Sequence, residues 1–114
     1  MKRVIVTRES LNTLINRGDS VALRAIGRAL VLLFKRQTFD EREHGDTKYH
    51  NGIGFTPADA HSGALTAKFY IKHNNLLDWQ VAMWTKPNAK GWSRLSKYHA
   101  QLNEEAKAKE RKML

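Results

Sequence analysis

Arg17, Arg24, Arg28 and Lys35 follow one another at separations of seven, four and seven residues. At about 100° per helical residue, the four fall within roughly 20° of one line. A line of guanidinium and ammonium groups attracts the regularly spaced charges of a polyanion. No acidic residue stands between Val21 and Phe39. A merely solvated helix would have placed glutamates four residues from those arginines. A second basic group, Lys90, Arg94 and Lys97, surrounds Trp92, with Lys86 just before it. Aromatics interleaved with cations suit unpaired strands, whose bases stack on a ring while their phosphates meet the charges. Of Trp79, Trp84 and Trp92, at least two read as core, and Trp92 is the candidate for base stacking. Lys68 and Lys72, with His61, make a third polar side and complete the set of expected phosphate contacts.

Other chemistries find less to work with. The chain has no cysteine, which excludes disulfides and thiolate metal sites. Its five histidines, His44, His50, His61, His73 and His99, lack any close metal-ligand spacing, so no metal is expected. His99 falls on an apolar helix side and reads as a satisfied core histidine. Asp40, Glu41 and Glu43 are grouped carboxylates without a partner set, and no G-x-S-x-G nucleophile motif is present. The expectation is a non-enzymatic protein with no catalytic residues and no cofactor.

The global balance agrees with the local signal. Twenty Lys and Arg oppose eleven Asp and Glu among 114 residues, a formal net charge of +9. Such a surface attracts nucleic acid, acidic proteins or anionic lipid. The longest apolar run, Ala29–Phe34, is far short of the roughly 18 residues of a membrane span. "MKRVIV" lacks the apolar region of a secretory signal. These features point to a soluble, cytoplasmic protein with no membrane partner.

The elements that must position these groups are mostly helical. "MKRVIVT" reads as a short strand or an extended arm. A short helix follows, capped by Thr7 or Ser10, with Leu11, Leu14 and Ile15 at helical spacing and Gly18 as its stop. A long helix runs from about Asp19 to Arg36, with Ala22, Leu23, Ile26, Ala29, Leu30 and Leu33 gathered opposite the arginines. "TFDE" matches a capping box and predicts a brief separate turn, then a polar loop. Thr56 and Pro57 open a third helix to about Lys72, with Ala60, Ala64, Ala67 and Ile71 along one side. "LLDWQVAMWT" predicts a short helix ended by Pro87. "NAKGWSRLSKYHAQL" opens the last one, with Trp92, Leu95, His99 and Leu102 on its apolar side. The class is therefore mostly α, about five helices in one small domain over residues 1–103, with 104–114 a charged helical extension or tail.

The stretch "NGIGFTPADA" admits two readings. A G-x-G before a helix can cradle a phosphate, but no strand precedes it, no third glycine follows, and no Lys-Ser/Thr is present. The alternative is a hinge. Asn51 and Gly52 turn the chain, Gly54 takes an unusual backbone angle, Phe55 staples the helix start, Thr56 caps it, and Asp59 occupies its positive end. The hinge reading is preferred.

Together "NGIGFTPADAHSGALTAKF", "NNLLDWQVAMW" and "KGWSRLSKYHAQL" resemble a small helical module of phage and bacterial proteins, found alone or beside helicase-like domains. Its pattern falls here on Asn51, Gly52, Gly54, Phe55, Asp59, Ala60, Gly63, Gln80, Lys97, Tyr98, Gln101 and Leu102. Where that pattern has a threonine cap before the Gln80 helix, this chain has Leu77. The resemblance implies phage DNA metabolism and implies no catalytic role. The leading expectation is thus a small basic nucleic-acid-binding protein, with DNA the favoured target over RNA. The alternative is a phage interaction protein that modulates an acidic host or replication protein through the same surface.

Overall fold

The computed structural model describes residues 6–44 and 54–112, with side chains for 6–37 and 54–109. Asn51 and Gly52, expected in the hinge, lie outside the described residues, as do Met1–Ile5 of the expected strand or arm. Five α-helices follow in order: α1 (Arg8–Ile15), α2 (Ser20–His44), α3 (Pro57–His73), α4 (Asp78–Thr85) and α5 (His99–Lys112), with a 3₁₀ turn at Arg94–Tyr98 running directly into α5. No β-sheet is present among the described residues; a lone antiparallel bridge joins Pro87 to Ser93. No helix among them is long and apolar enough to cross a membrane.

Local chemistry fixes most of the helix starts. Thr7 Oγ1 accepts from Ser10 N–H and Ser10 Oγ accepts from Thr7 N–H, so two orphan donors of α1 are satisfied reciprocally. Asp19 performs the same task for α2, taking the Ala22 N–H at 3.0 Å. Leu77 precedes α4 and has no side-chain acceptor, but Gln80 Oε1 reaches back to the Leu77 N–H at 2.8 Å. Half of a capping box therefore suffices there, with Asp78 in the first turn.

Two expectations are corrected. The break at "TFDE" does not occur: α2 continues to His44. Nothing between Gly27 and His44 is a glycine or proline, so the T-x-x-E pattern sits inside a run of helix formers. The last helix starts later than expected. Residues 87–93 form a closed turn instead, because Asn88 Oδ1 gathers the N–H groups of Lys90 and Trp92, and Asn88 N–H donates to the Trp92 carbonyl.

The core is built on α2. Ile26, Leu30 and Leu33 are fully buried and meet Leu11 and Ile15 of α1, Ala67 and Tyr70 of α3, Trp84 of α4, and Leu95 and Leu102 beyond. The buried side of α3 differs from the predicted alanine row. It is Gly63, Thr66, Ala67 and Tyr70, while Ile71 is exposed. Glycines explain this rotation. A Cβ at Gly27 would overlap the Tyr70 ring, so Gly27 lets α3 lie close against α2. A Cβ at Gly63 would come within 2.5 Å of the Phe55 ring. The contact is tight enough that only glycine admits Phe55 there.

Candidate nucleic-acid interface

The site begins at the entry to α3. Gly54 has φ +76° and a Cβ there would lie 2.5 Å from Gln37 Cβ. A left-handed, crowded position of this kind is compatible only with glycine. Its N–H donates to Gln101 Oε1 at 2.7 Å, and its carbonyl accepts from Gln101 Nε2 at 2.9 Å. Phe55 N–H donates to Gln37 Oε1, and Thr56 N–H donates to Tyr98 Oη. Thr56 stands at the N-cap of α3, but its hydroxyl contacts Tyr98 Oη rather than the helix amides. The backbone donors of this segment are thus taken by α2, the 3₁₀ turn and α5.

Asp59, in the first turn of α3, is the hub beneath. Its side chain is 3% exposed. Oδ1 accepts from Arg94 Nε and Nη2 at 2.9 and 2.7 Å. Oδ2 pairs with Lys97 Nζ at 2.7 Å and accepts from Tyr98 Oη at 2.5 Å. Burial pushes the carboxyl pKa up, but the hydrogen bonds from Lys97, Tyr98 and Arg94 outweigh it and hold the group below its ordinary value. Tyr98 is pushed up to about 12, by burial first and then by its bond to the carboxylate. Asp59 is therefore a charged anchor that gathers two cations at one place. Arg94 is further fixed over the buried Trp84 ring, 4.6 Å from its centroid.

Those cations border a pocket of about 510 Å³. Arg8, Lys86, Arg94 and Lys97 line it together with Trp92 and Ser93, and Met83, Pro87 and Asn88 complete its wall. Arg8 comes from the first turn of α1. Its guanidinium lies 4.9 Å above the Trp92 ring, and its Nε donates to Ser96 Oγ. Asn12, one turn later, fixes the neighbouring strand-like segment by accepting the Ser93 N–H at 2.9 Å. Ser93 is 2% exposed, and its Oγ has no hydrogen-bond partner. An unmatched buried hydroxyl costs about 1–3 kcal/mol.

The predicted basic residues thus fall into separate groups. Arg94, Lys97 and Trp92 come together, joined by Lys86 and by Arg8. Lys90 is exposed on the 87–93 turn. Arg24, Arg28 and Lys35 are exposed on α2, away from its core residues. Arg17 is not on α2. It lies in the turn before the helix and pairs with Asp19 at 2.9 Å, so the helical line contains three cations, not four. Lys68 and Lys72 are exposed on α3, and Lys68 Nζ lies 5.7 Å from the Phe34 centroid. Trp92 is half-buried beneath Arg8. The expectation that at least two of the three tryptophans are core is corrected: Trp84 alone belongs to the core, and Trp79, at 63% exposed, is the most open. His99 is half-buried, and no group of histidines and carboxylates able to hold a metal ion occurs among the described residues.

Arg8 and Ser93 were not among the sequence candidates. Arg8 is the only basic residue of α1, so helical periodicity gives it no companion, and it reaches Trp92 across 84 positions of chain. A second concavity, of about 650 Å³, lies between α2, α3 and α5. It is walled largely by Val31, Leu32, Ile71, Leu102 and Ala106, and takes Arg28 from the exposed stripe. No protein-family model, no curated protein and no solved structure matches this chain.

Proposed function

We propose that this chain is a non-catalytic nucleic-acid-binding protein that grips a strand by its phosphates, DNA in preference to RNA, in the context of phage DNA metabolism. One observation carries the reading: Arg8, Lys86, Arg94 and Lys97, drawn from three separate stretches of chain, converge on one pocket around Trp92. Like charges repel, so such a convergence costs stability unless an anion is expected between them. Asp59 offsets part of that repulsion from behind, through Arg94 and Lys97. Arg24, Arg28 and Lys35 on α2 form a separate basic group and have the exposure that phosphate contact requires. These contacts supply affinity without reading sequence.

Fluorescence anisotropy against labelled single-stranded DNA, duplex DNA and RNA tests the reading. Binding at about 100–150 mM salt, with affinity falling steeply as salt is raised, is the expected result. No binding to any of the three at that ionic strength rules it out.

A further inference from the structure

The Trp92 pocket carries more charge than an internal stretch of backbone asks for. An internal phosphodiester bears one negative charge. Four cations line this pocket, and among the described residues the one carboxylate paired with them, Asp59, lies behind Arg94 and Lys97. The local balance is +3. A strand end with a terminal phosphate carries about −1.5 to −2 on that group at neutral pH, and the next phosphodiester adds about −1. The two sums match. Ser93 adds an independent sign: it lines the same pocket, and its Oγ is a donor without an acceptor, covered in the conformation seen, so that a turn about χ1 is what would bring it to a bound ligand. The three terminal oxygens of a phosphomonoester offer the acceptor that the protein itself does not provide. The volume, about 510 Å³, is in the range of small-molecule sites and admits one nucleotide.

We propose that this pocket receives the phosphorylated end of a nucleic-acid strand, with the terminal phosphomonoester bound by Ser93 Oγ and the cations of Lys86, Arg94, Lys97 and Arg8, and the end nucleoside beside Trp92. The proposal rests on the nucleic-acid reading above and narrows it to strand ends. Lys86 and Ser93 are the residues to test. Arg94 and Lys97 also hold Asp59, so their loss would disturb the fold, whereas the Lys86 side chain is exposed and Ser93→Ala removes one oxygen and leaves the backbone bond to Asn12 in place.

The experiment is an anisotropy titration of the intact protein with three single-stranded oligonucleotides of one sequence. One bears a 5′-phosphate, one a 3′-phosphate and one hydroxyls at both ends. A nucleoside monophosphate serves as competitor in a fourth arm. Either phosphorylated end should bind about tenfold tighter than the hydroxyl strand, the effect of one or two added charge-assisted hydrogen bonds. Ser93→Ala and Lys86→Ala should each reduce that preference several-fold, with Lys86→Ala melting as the wild type does and Ser93→Ala melting no lower, since it removes an unmatched buried hydroxyl. Arg24→Gln with Arg28→Gln should weaken all strands alike and leave the preference intact. Competition by the free monophosphate alone, with no preference among strand ends, would assign the pocket to a free nucleotide and overturn the strand-end proposal. Equal binding of all three strands overturns it too while leaving nucleic-acid binding standing; no binding of any strand overturns both.

Discussion

Gly54 and Gln101 close a ring of two hydrogen bonds across 47 positions of chain, the side-chain amide of one matching the backbone donor and acceptor of the other. The ring ties the entry of α3 to α5, and so sets where Asp59 meets Arg94, Lys97 and Tyr98.

Gln101→Ala should therefore be costly out of proportion to its size. It leaves the buried Gly54 N–H and carbonyl without partners, at about 1–3 kcal/mol for each unsatisfied group. A loss of about 2–4 kcal/mol in urea unfolding is expected. Gln101→Glu, which keeps an acceptor for the N–H but sets a carboxylate oxygen against the Gly54 carbonyl, should cost at least as much at neutral pH. A loss below about 0.5 kcal/mol, the ordinary range of surface substitutions, would show that the ring contributes little.

Asp59→Asn tests the hub. The variant keeps the shape but removes the charge that Arg94 and Lys97 neutralise, and a cost of about 2–3 kcal/mol at pH 7 is expected, less than for a fully buried pair because both cations retain some solvent. The sign with pH follows from the depressed carboxyl pKa. The stability it contributes is fully present above the unfolded value, about 3.9, and is lost as pH falls through the lower folded value. Wild type and variant should thus converge in acid. The phenol of Tyr98 gives a second readout at the other end of the scale. It is held near 12 partly by the Asp59 carboxylate, so phenolate absorbance should appear at lower pH in the variant. Parallel stability curves from pH 7 down to pH 2 would rule out a depressed Asp59.

The sequence carries the helices well and the site only in part. Thr7 and Asp19 cap their helices because a short polar side chain can accept from a first-turn amide, Thr56 stands at the same position with its hydroxyl turned to Tyr98, and the signal is local. The same holds for the buried run on α2, where Ile26, Leu30 and Leu33 repeat at helical spacing. Periodicity failed where a different local preference prevailed. Arg17 projects onto the arginine line only if the helix extends back past Gly18, which has φ +74° and lies in the turn. Asn88 and Gly91 close a turn before Trp92, which cancels the helical register on which Lys90 and Arg94 would have shared a face. Pairings such as Asp59 with Lys97, or Arg8 with Trp92, join residues 38 and 84 positions apart, and a single sequence has no term that records them. Residues of the α3 entry and of the C-terminal segment meet in space although they stand far apart in sequence. Gly54 bonds Gln101, Phe55 occupies the space left by Gly63, and Asp59 bonds Lys97 and Tyr98.

The exposed stripe on α2 separates affinity from folding. Arg24 and Arg28 are exposed, stand one helical turn apart, and lie opposite the core residues Ile26, Leu30 and Leu33. Arg36, further along the same helix, is different: it bonds the Gln101 carbonyl and pairs with Glu104 and Glu105, so it belongs to the packing of α5. Replacing Arg24 and Arg28 together by Gln should change stability by no more than about 0.5 kcal/mol, since exposed charges contribute little to folding. Binding to every strand should weaken by a similar factor, because phosphate contacts do not read bases. The log–log slope of affinity against salt should flatten by up to about 0.7–0.9 for each phosphate contact removed. Arg36→Gln is the matched control, with a loss of stability that precedes any effect on binding. If the double variant binds with unaltered affinity and slope while remaining folded, the α2 stripe is a solvated face, and the strand is held elsewhere on the molecule.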